Sequence, residues 1–251
     1  MTMPGVFEML KIGIGPSSSH TLGPWRAAQM FVEDLAAPDG AEALSRITVE
    51  LYGSLALTGP GHGTDIALLM GLSGADPVTV PIEEVRRLPD QIRKSGLTLP
   101  DGRTIDLLPD RDIIYHCESQ LSFHANGMIF SAFAGPGREG LIRQSTMYSV
   151  GGGFVVREEE EVSGEESSEA PYPVSSGSDL LAYCEREGLS LAQIIRRNER
   201  ILRSDEEIDS GLLTIWEVMR EAIFRGCRTR GTLPGGLDVS RRAPDLFSRV
   251  L

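Results

Sequence analysis

Apolar residues Trp25, Ala28, Phe31, Val32 and Leu35 recur at the three-and-four spacing of a helix buried on one face, and predict a helix over residues 21–35. A shorter helical stretch, residues 5–11, precedes it. Ile47-Thr48-Val49-Glu50-Leu51-Tyr52 alternates apolar with polar residues, the period of a half-buried strand. That strand runs into a glycine-rich segment, residues 53–63, read as a loop, and Thr64 is placed as the N-cap of a helix over 65–72. Beyond Pro77 the pattern predicts turns and short elements. Leu97-Thr98-Leu99 and Thr104-Ile105-Asp106-Leu107 flank Pro100-Asp101-Gly102-Arg103, a hairpin signal. Residues 112–116 form another strand. A second hairpin is expected to pair 120–123 with 128–133, turning at His124-Ala125-Asn126-Gly127 because Asn-Gly favours positive φ. Residues 141–150 and 154–156 read as strands.

After residue 170 the period becomes helical throughout. Ser176 caps a helix that Gly188 stops, and Ser190-x-x-Gln193 and Ser204-x-x-Glu207 are capping boxes for two more. The last of these is long, with Ile208, Leu212, Ile215, Trp216, Met219 and Ile223 on a face expected to pack on a core. Arg241-Arg242 opens a final helix. The fold class is therefore α+β. A mixed sheet domain over residues 1–157 is followed by a linker over 158–170 and an incomplete helical segment over 171–251.

Charge sharpens that division. The formal charge of −12 comes from 24 basic and 36 acidic side chains, and seven glutamates between Glu158 and Glu169 carry more than half of the excess. Such a run is a solvated spacer. An acidic body without basic stripes argues against nucleic-acid binding. No apolar run is long enough to cross a bilayer and the N-terminus does not resemble a signal peptide, so the expectation is a cytoplasmic protein with no membrane partner. Three cysteines, Cys117, Cys184 and Cys227, are too few and too scattered for a disulfide framework or a zinc signature. Cys184 is expected to pack in a core, and no metal ligand is assigned.

The chemistry concentrates in loops around histidine. Gly13-Ile14-Gly15-Pro16-Ser17-Ser18-Ser19-His20-Thr21 surrounds one imidazole with four hydroxyls just before a helix start. It lacks the preceding strand and third glycine of a dinucleotide fingerprint. Gly61-His62-Gly63 leaves its imidazole open to a close approach, and His124 stands two residues before Asn126. An imidazole near neutral pKa suits removal of a proton from carbon. The Ser-rich loop and the Gly151-Gly152-Gly153 run can supply hydroxyl and N–H donors to a carboxylate. His116, inside a strand, is read as structural. An enzyme, a noncatalytic module for a small carboxylate, and a phosphate-binding domain all remain open at this point.

Four segments, Lys11–Thr21, Tyr52–Asp65, His124-Ala125-Asn126-Gly127-Met128 and Tyr148–Phe154, resemble the iron–sulfur-dependent L-serine dehydratases (L-serine ammonia-lyases). Leu233-Pro234-Gly235-Gly236-Leu237 and Arg241-Arg242 resemble the start of that family's catalytic α region. The family's usual His-Pro-Asn is His124-Ala125-Asn126 here, which loosens the turn. The resemblance implies loss of water from L-serine to aminoacrylate and then pyruvate and ammonia. It implies no pyridoxal phosphate and a four-iron four-sulfur (4Fe-4S) cluster acting as Lewis acid.

By position, His62 matches the α-proton base and His124 the group that raises its basicity. Ser17, Ser18, Ser19, His20, Thr21, Asn126, Ser149, Gly151 and Gly152 match the substrate-binding side. The cluster cysteines of the family lie downstream of the matched residues. The chain is therefore expected to hold no cluster and show no activity alone, and to work with the remainder of an α domain or a separate α subunit in a homo-oligomer. The β domain also resembles the allosteric substrate-binding domain of some phosphoglycerate dehydrogenases.

Overall fold

The computed structural model describes residues 5–35, 44–135, 140–158, 170–233 and 238–250. Residues 1–4, 36–43, 136–139, 159–169, 234–237 and 251 lie outside them. In chain order the elements are α1 (Val6–Met9), a π-helical turn (Ser18–Leu22), α2 (Gly23–Leu35), β1 (Arg46–Tyr52), α3 (Gly53–His62), α4 (Thr64–Leu72) and α5 (Ile82–Ser95). They continue with β2 (Leu97–Thr98), β3 (Thr104–Ile105), α6 (Pro109–Asp112), β4 (Ile113–His116), β5 (Gly127–Phe133), β6 (Leu141–Gly151) and β7 (Phe154–Arg157). The last four are α7 (Gly177–Glu187), α8 (Leu191–Glu199), α9 (Asp205–Gly226) and α10 (Ala243–Val250). The chain forms two compact units. One is Gly13–Glu161 with Thr232–Ser240; the other is Met1–Ile12 with Val162–Gly231 and Arg241–Leu251.

In the sheet unit a five-stranded sheet runs in the order β4-β1-β5-β6-β7. Only the β1–β4 pair is parallel. The alternation along β1 sends Ile47, Val49 and Leu51 to one face, where register sets them beside Ala132, Phe130 and Met128 of β5. These residues, with Met147, close over Ala28 and Phe31 of α2 and Leu68, Leu69 and Leu72 of α4 in one buried cluster. Phe31 and Phe130 stack at 5.2 Å, so truncating either to alanine costs about 3–5 kcal/mol. Helices α2 and α4 meet at Gly71, where a Cβ would lie 2.2 Å from the Trp25 carbonyl oxygen. A buried ion group fixes the strand ends: Asp112 accepts from Arg46 and Arg111, whose hydrogen bonds hold its carboxyl below the usual range against its own burial.

Three differences from the sequence expectations change the trace of the sheet unit. Residues 82–95 form a full helix rather than turns, because Val85 and Ile92 bury on one side and outweigh Pro89 inside it. The hairpin expected to turn at Asn126-Gly127 does not form, and β5 pairs instead with β1 and β6. Gly127 is extended, and its missing Cβ admits Leu121, whose Cδ1 would lie 2.7 Å away. Its small size matters there, not its left-handed freedom. The third difference, at residues 53–62, belongs to the site below.

In the helical unit the caps follow the sequence closely. Ser176, Ser190 and Ser204 each accept from the N3 backbone in a reciprocal capping box, and Gly188 ends α7 at φ 65°. Phe7 of α1 lies against Gly211 of α9, and Ile208 is buried. The rest of the α9 face expected to pack on a core is open, with Trp216 52% and Met219 50% exposed. Cys184 is only half-buried. Among the described residues no helix is long and apolar enough to cross a membrane.

Candidate active site

The Ser-rich segment reaches α2 through one wide turn. Gly15 takes φ 115°, and a Cβ on it would lie 2.3 Å from Thr21 Cγ2. Ser17 stays extended and its hydroxyl accepts the His20 N–H at 3.1 Å. The turn that follows is π-helical rather than the α-helical start expected at Thr21, a form common at functional sites. Gly23 then lets β6 approach, since a Cβ there would fall 2.0 Å from Ser149 Oγ. Ser149 donates to the Ser19 carbonyl at 2.8 Å.

Residues 53–62, expected as a loop, form α3. Gly53, at φ 54°, allows the entry, because any side chain would meet the Ala125 carbonyl at 2.4 Å. The Gly53 and Ser54 N–H groups donate to Ser119 O at 2.8 Å and Ala125 O at 2.9 Å. These bonds satisfy two of the helix's free donors without a capping side chain. The helix ends at His62, with Gly63 left-handed at φ 65°. His62 is thus the last helical residue rather than a loop residue.

Two threonines bind the histidine backbones to each other. Thr21 Oγ1 donates to His62 O at 3.0 Å, and buried Thr64 Oγ1 donates to His20 O at 2.6 Å. The two rings sit 5.0 Å apart between centroids. His62 Nδ1 lies 2.8 Å from Thr58 O. A carbonyl only accepts, so Nδ1 carries a proton, and in the neutral ring the lone pair lies on Nε2. His20 Nδ1 meets Ser19 Oγ and Nε2 meets Ser54 Oγ, both at 2.9 Å. Burial and the charge of His62 lower the His20 pKa from its usual 6.5, against an opposing contribution from hydrogen bonding at Ser54. His20 is therefore neutral at pH 7.

The third histidine sits at the start of β5. Asn126 N donates to His124 Nδ1 at 3.1 Å, so this ring carries its proton on Nε2 when neutral. Asn126 is buried, donates to Ser149 O at 3.0 Å, and accepts from Ser149 N at 3.0 Å. Among the described residues no hydrogen bond joins His124 to His62. They are linked through Asn126, Ser149, Ser19 and His20. At the β6–β7 turn, Gly151, Gly152 and Gly153 all have positive φ, at 100°, 60° and 77°. Arg26 donates to Gly153 O at 3.1 Å. Ser18 is exposed on the first turn of the segment.

The sequence reading missed Ser54, Thr58 and Thr64 as partners of the histidines. Their only signal was their place within the Tyr52–Asp65 motif, and the loop reading of residues 53–63 hid the i to i+4 relation of Thr58 to His62. His116 lies apart from this group, stacked on Tyr52 at 4.5 Å and bonded to Glu50 at 2.7 Å. Cys117 is exposed, and Cys184 and Cys227 belong to the other unit. Among the described residues no three His, Cys, Asp or Glu side chains converge as metal ligands. The described residues here do not fit a cluster site.

The α+β unit thus gathers two imidazoles and several hydroxyls at one helix junction, groups of the kind that bind a small polar molecule and move a proton. Comparison makes this specific: the sequence model of the serine dehydratase beta chain matches residues 5–160, and the chain belongs to that family. It is 44% identical over 249 residues to L-serine dehydratase 2 of Escherichia coli K12, covering 97% of this chain and 53% of that protein. It is also 44% identical over 252 residues to the L-serine dehydratase TdcG of the same organism, covering 99% and 55%. With the L-serine dehydratase of Streptomyces coelicolor the identity is 44% over 250 residues, covering 98% and 54%. The chain spans about half the length of these curated relatives.

Proposed function

We propose that this chain supplies the proton-transfer side of an L-serine dehydratase. The reaction removes the Cα proton and the β-hydroxyl of L-serine as water. The aminoacrylate left behind tautomerises and hydrolyses to pyruvate and ammonia. His62 Nε2 takes the Cα proton, because its Nδ1–H is held on Thr58 O and the open lone pair is that of a neutral imidazole. That fixed tautomer is the observation on which the reading rests. Neutral His20 beside it adds no like charge as the His62 imidazolium forms.

Ser17, Ser18, Ser19, His20, Thr21, Asn126 and Ser149 orient the amino acid, with Gly151 and Gly152 offering N–H groups to its carboxylate. His124 raises the basicity of His62 through the intervening network. The iron–sulfur cluster and its cysteines are assigned to polypeptide other than this chain. The same reading takes residues 1–157 as the β domain, 158–170 as linker and 171–251 as the first part of the α region. It takes the β domain as akin to an allosteric substrate-binding domain, in a cytoplasmic homo-oligomer.

The test is pyruvate release by this chain alone, and by this chain together with the polypeptide that makes up the rest of its relatives' length. Turnover is expected only in the combination. Serine binding to the chain with no turnover in any combination would favour a noncatalytic serine-binding module instead.

A further inference from the structure

A serine in the first turn of a helix ordinarily turns its hydroxyl to the free N–H groups there. Ser54 does not. Its hydroxyl meets His20 Nε2 at 2.9 Å, on a residue 34 positions upstream. The backbone of Ser54 is engaged as well. Its N–H donates to Ala125 O at 2.9 Å, inside the His124-Ala125-Asn126 turn. Its carbonyl accepts Thr58 Oγ1 at 2.9 Å, and Thr58 O in turn receives the His62 Nδ1–H at 2.8 Å. One residue thus touches all three histidine segments: the His20 ring directly, the His124 turn through its N–H, and His62 through one turn of α3.

We propose that Ser54 is a positioning residue for the histidine pair, its hydroxyl holding the His20 imidazole in one orientation beside His62. The role deepens the dehydratase reading and rests on it for its purpose. With Ser19 on Nδ1 and Ser54 on Nε2, both ring nitrogens of His20 are satisfied by hydroxyls, and the ring cannot rotate without losing both bonds. Without the Ser54 hydroxyl, Nε2 loses its partner and the ring turns about its remaining bond to Ser19. The base at His62 then faces a mobile neighbour.

Ring nitrogen NMR of this chain, labelled with 15N-histidine, reads each ring's surroundings without any activity. The wild type is expected to show one set of His20 ring signals. Ser54→Ala is expected to show averaged or doubled His20 ring signals, with the His62 Nδ1–H pattern kept because the Thr58 carbonyl remains. Ser54→Thr, which restores the hydroxyl, is expected to match the wild type. Ser54→Val, isosteric with threonine, is expected to match the alanine variant, and the Thr/Val pair serves if alanine does not fold. In the complete enzyme, Ser54→Ala is expected to lower kcat on the order of tenfold, the scale of one lost hydrogen bond, with KM little changed. A folded Ser54→Ala or Ser54→Val chain whose His20 ring signals are those of the wild type overturns the proposal. A wild-type complete enzyme without turnover would instead defeat the dehydratase reading and leave the ring spectra standing.

Discussion

Thr64 donates its hydroxyl to the backbone carbonyl of His20 at 2.6 Å, and its side chain is fully buried. With the reciprocal bond from Thr21 to His62, this ties the π-helical turn to the end of α3 through main-chain carbonyls, so the histidine separation is set by backbone rather than by side-chain rotamers. Thr64→Val keeps the shape and deletes the donor. It is expected to lower stability by about 1 kcal/mol, the scale of one lost hydrogen bond. Thr64→Ser is expected to lie close to the wild type. Urea unfolding midpoints of the two variants decide this.

The glycines of the site divide by mechanism. Gly63 is left-handed but has nothing within 4 Å of a Cβ, whereas Gly23 would place one 2.0 Å from Ser149 Oγ. Gly63→Ala is expected to cost about 1 kcal/mol of backbone strain. Gly23→Ala is expected to cost roughly 2–3 kcal/mol, by displacing Ser149 from Ser19 and overfilling a closed contact. Denaturant titration of both variants separates the two costs, and equal values would contradict the assignment.

The depressed pKa of His20 makes a signed prediction. Its folded-state pKa lies below 6.5, so the unfolded chain takes up a proton first as pH falls. The stability His20 contributes is complete above pH 6.5 and is lost as pH falls from there through the folded-state pKa. Below pH 6.5, His20→Gln is expected to flatten that part of the stability–pH curve while leaving its upper limb unchanged. Paired unfolding curves between pH 7.5 and 5 would show it, and a wild-type slope of opposite sign would contradict it.

Along α9 the apolar positions Trp216, Met219 and Ile223 are exposed. Met219→Glu and Ile223→Glu are therefore expected to change the stability of this chain by no more than about 0.5 kcal/mol. They are also expected to reduce its binding of a hydrophobic dye. A loss of several kcal/mol would mean that the face is buried after all.

What was legible from sequence follows from how local each signal is. The serine caps of α7, α8 and α9 each need only four residues, and all three formed, with Asp179 completing at α7 a box that the sequence reading gave only as a Ser176 cap. The alternation of β1 fixed its buried face in the same way. The α3 helix escaped because Gly53, Gly59, Pro60 and Gly61 oppose helix locally. What holds it is tertiary: Ser119 O and Ala125 O, far along the chain, accept its first N–H groups. Asn126-Gly127 misled for the matching reason, since Gly127 is needed for the space Leu121 occupies rather than for a turn. The motifs around His20, His62 and Asn126 come together in the fold as one cluster. Its wiring through Ser54, Thr58 and Thr64 required the fold.

The central claim is that His62 Nε2 removes the Cα proton of L-serine, and the most direct measurement is turnover of Cα-deuterated L-serine by the complete enzyme, wild type beside His62→Ala. The wild type is expected to slow with the deuterated substrate. His62→Ala is expected to lose roughly 10²–10⁴-fold in kcat while still binding serine. Turnover by His62→Ala within a few-fold of the wild type, with the isotope effect intact, would contradict it.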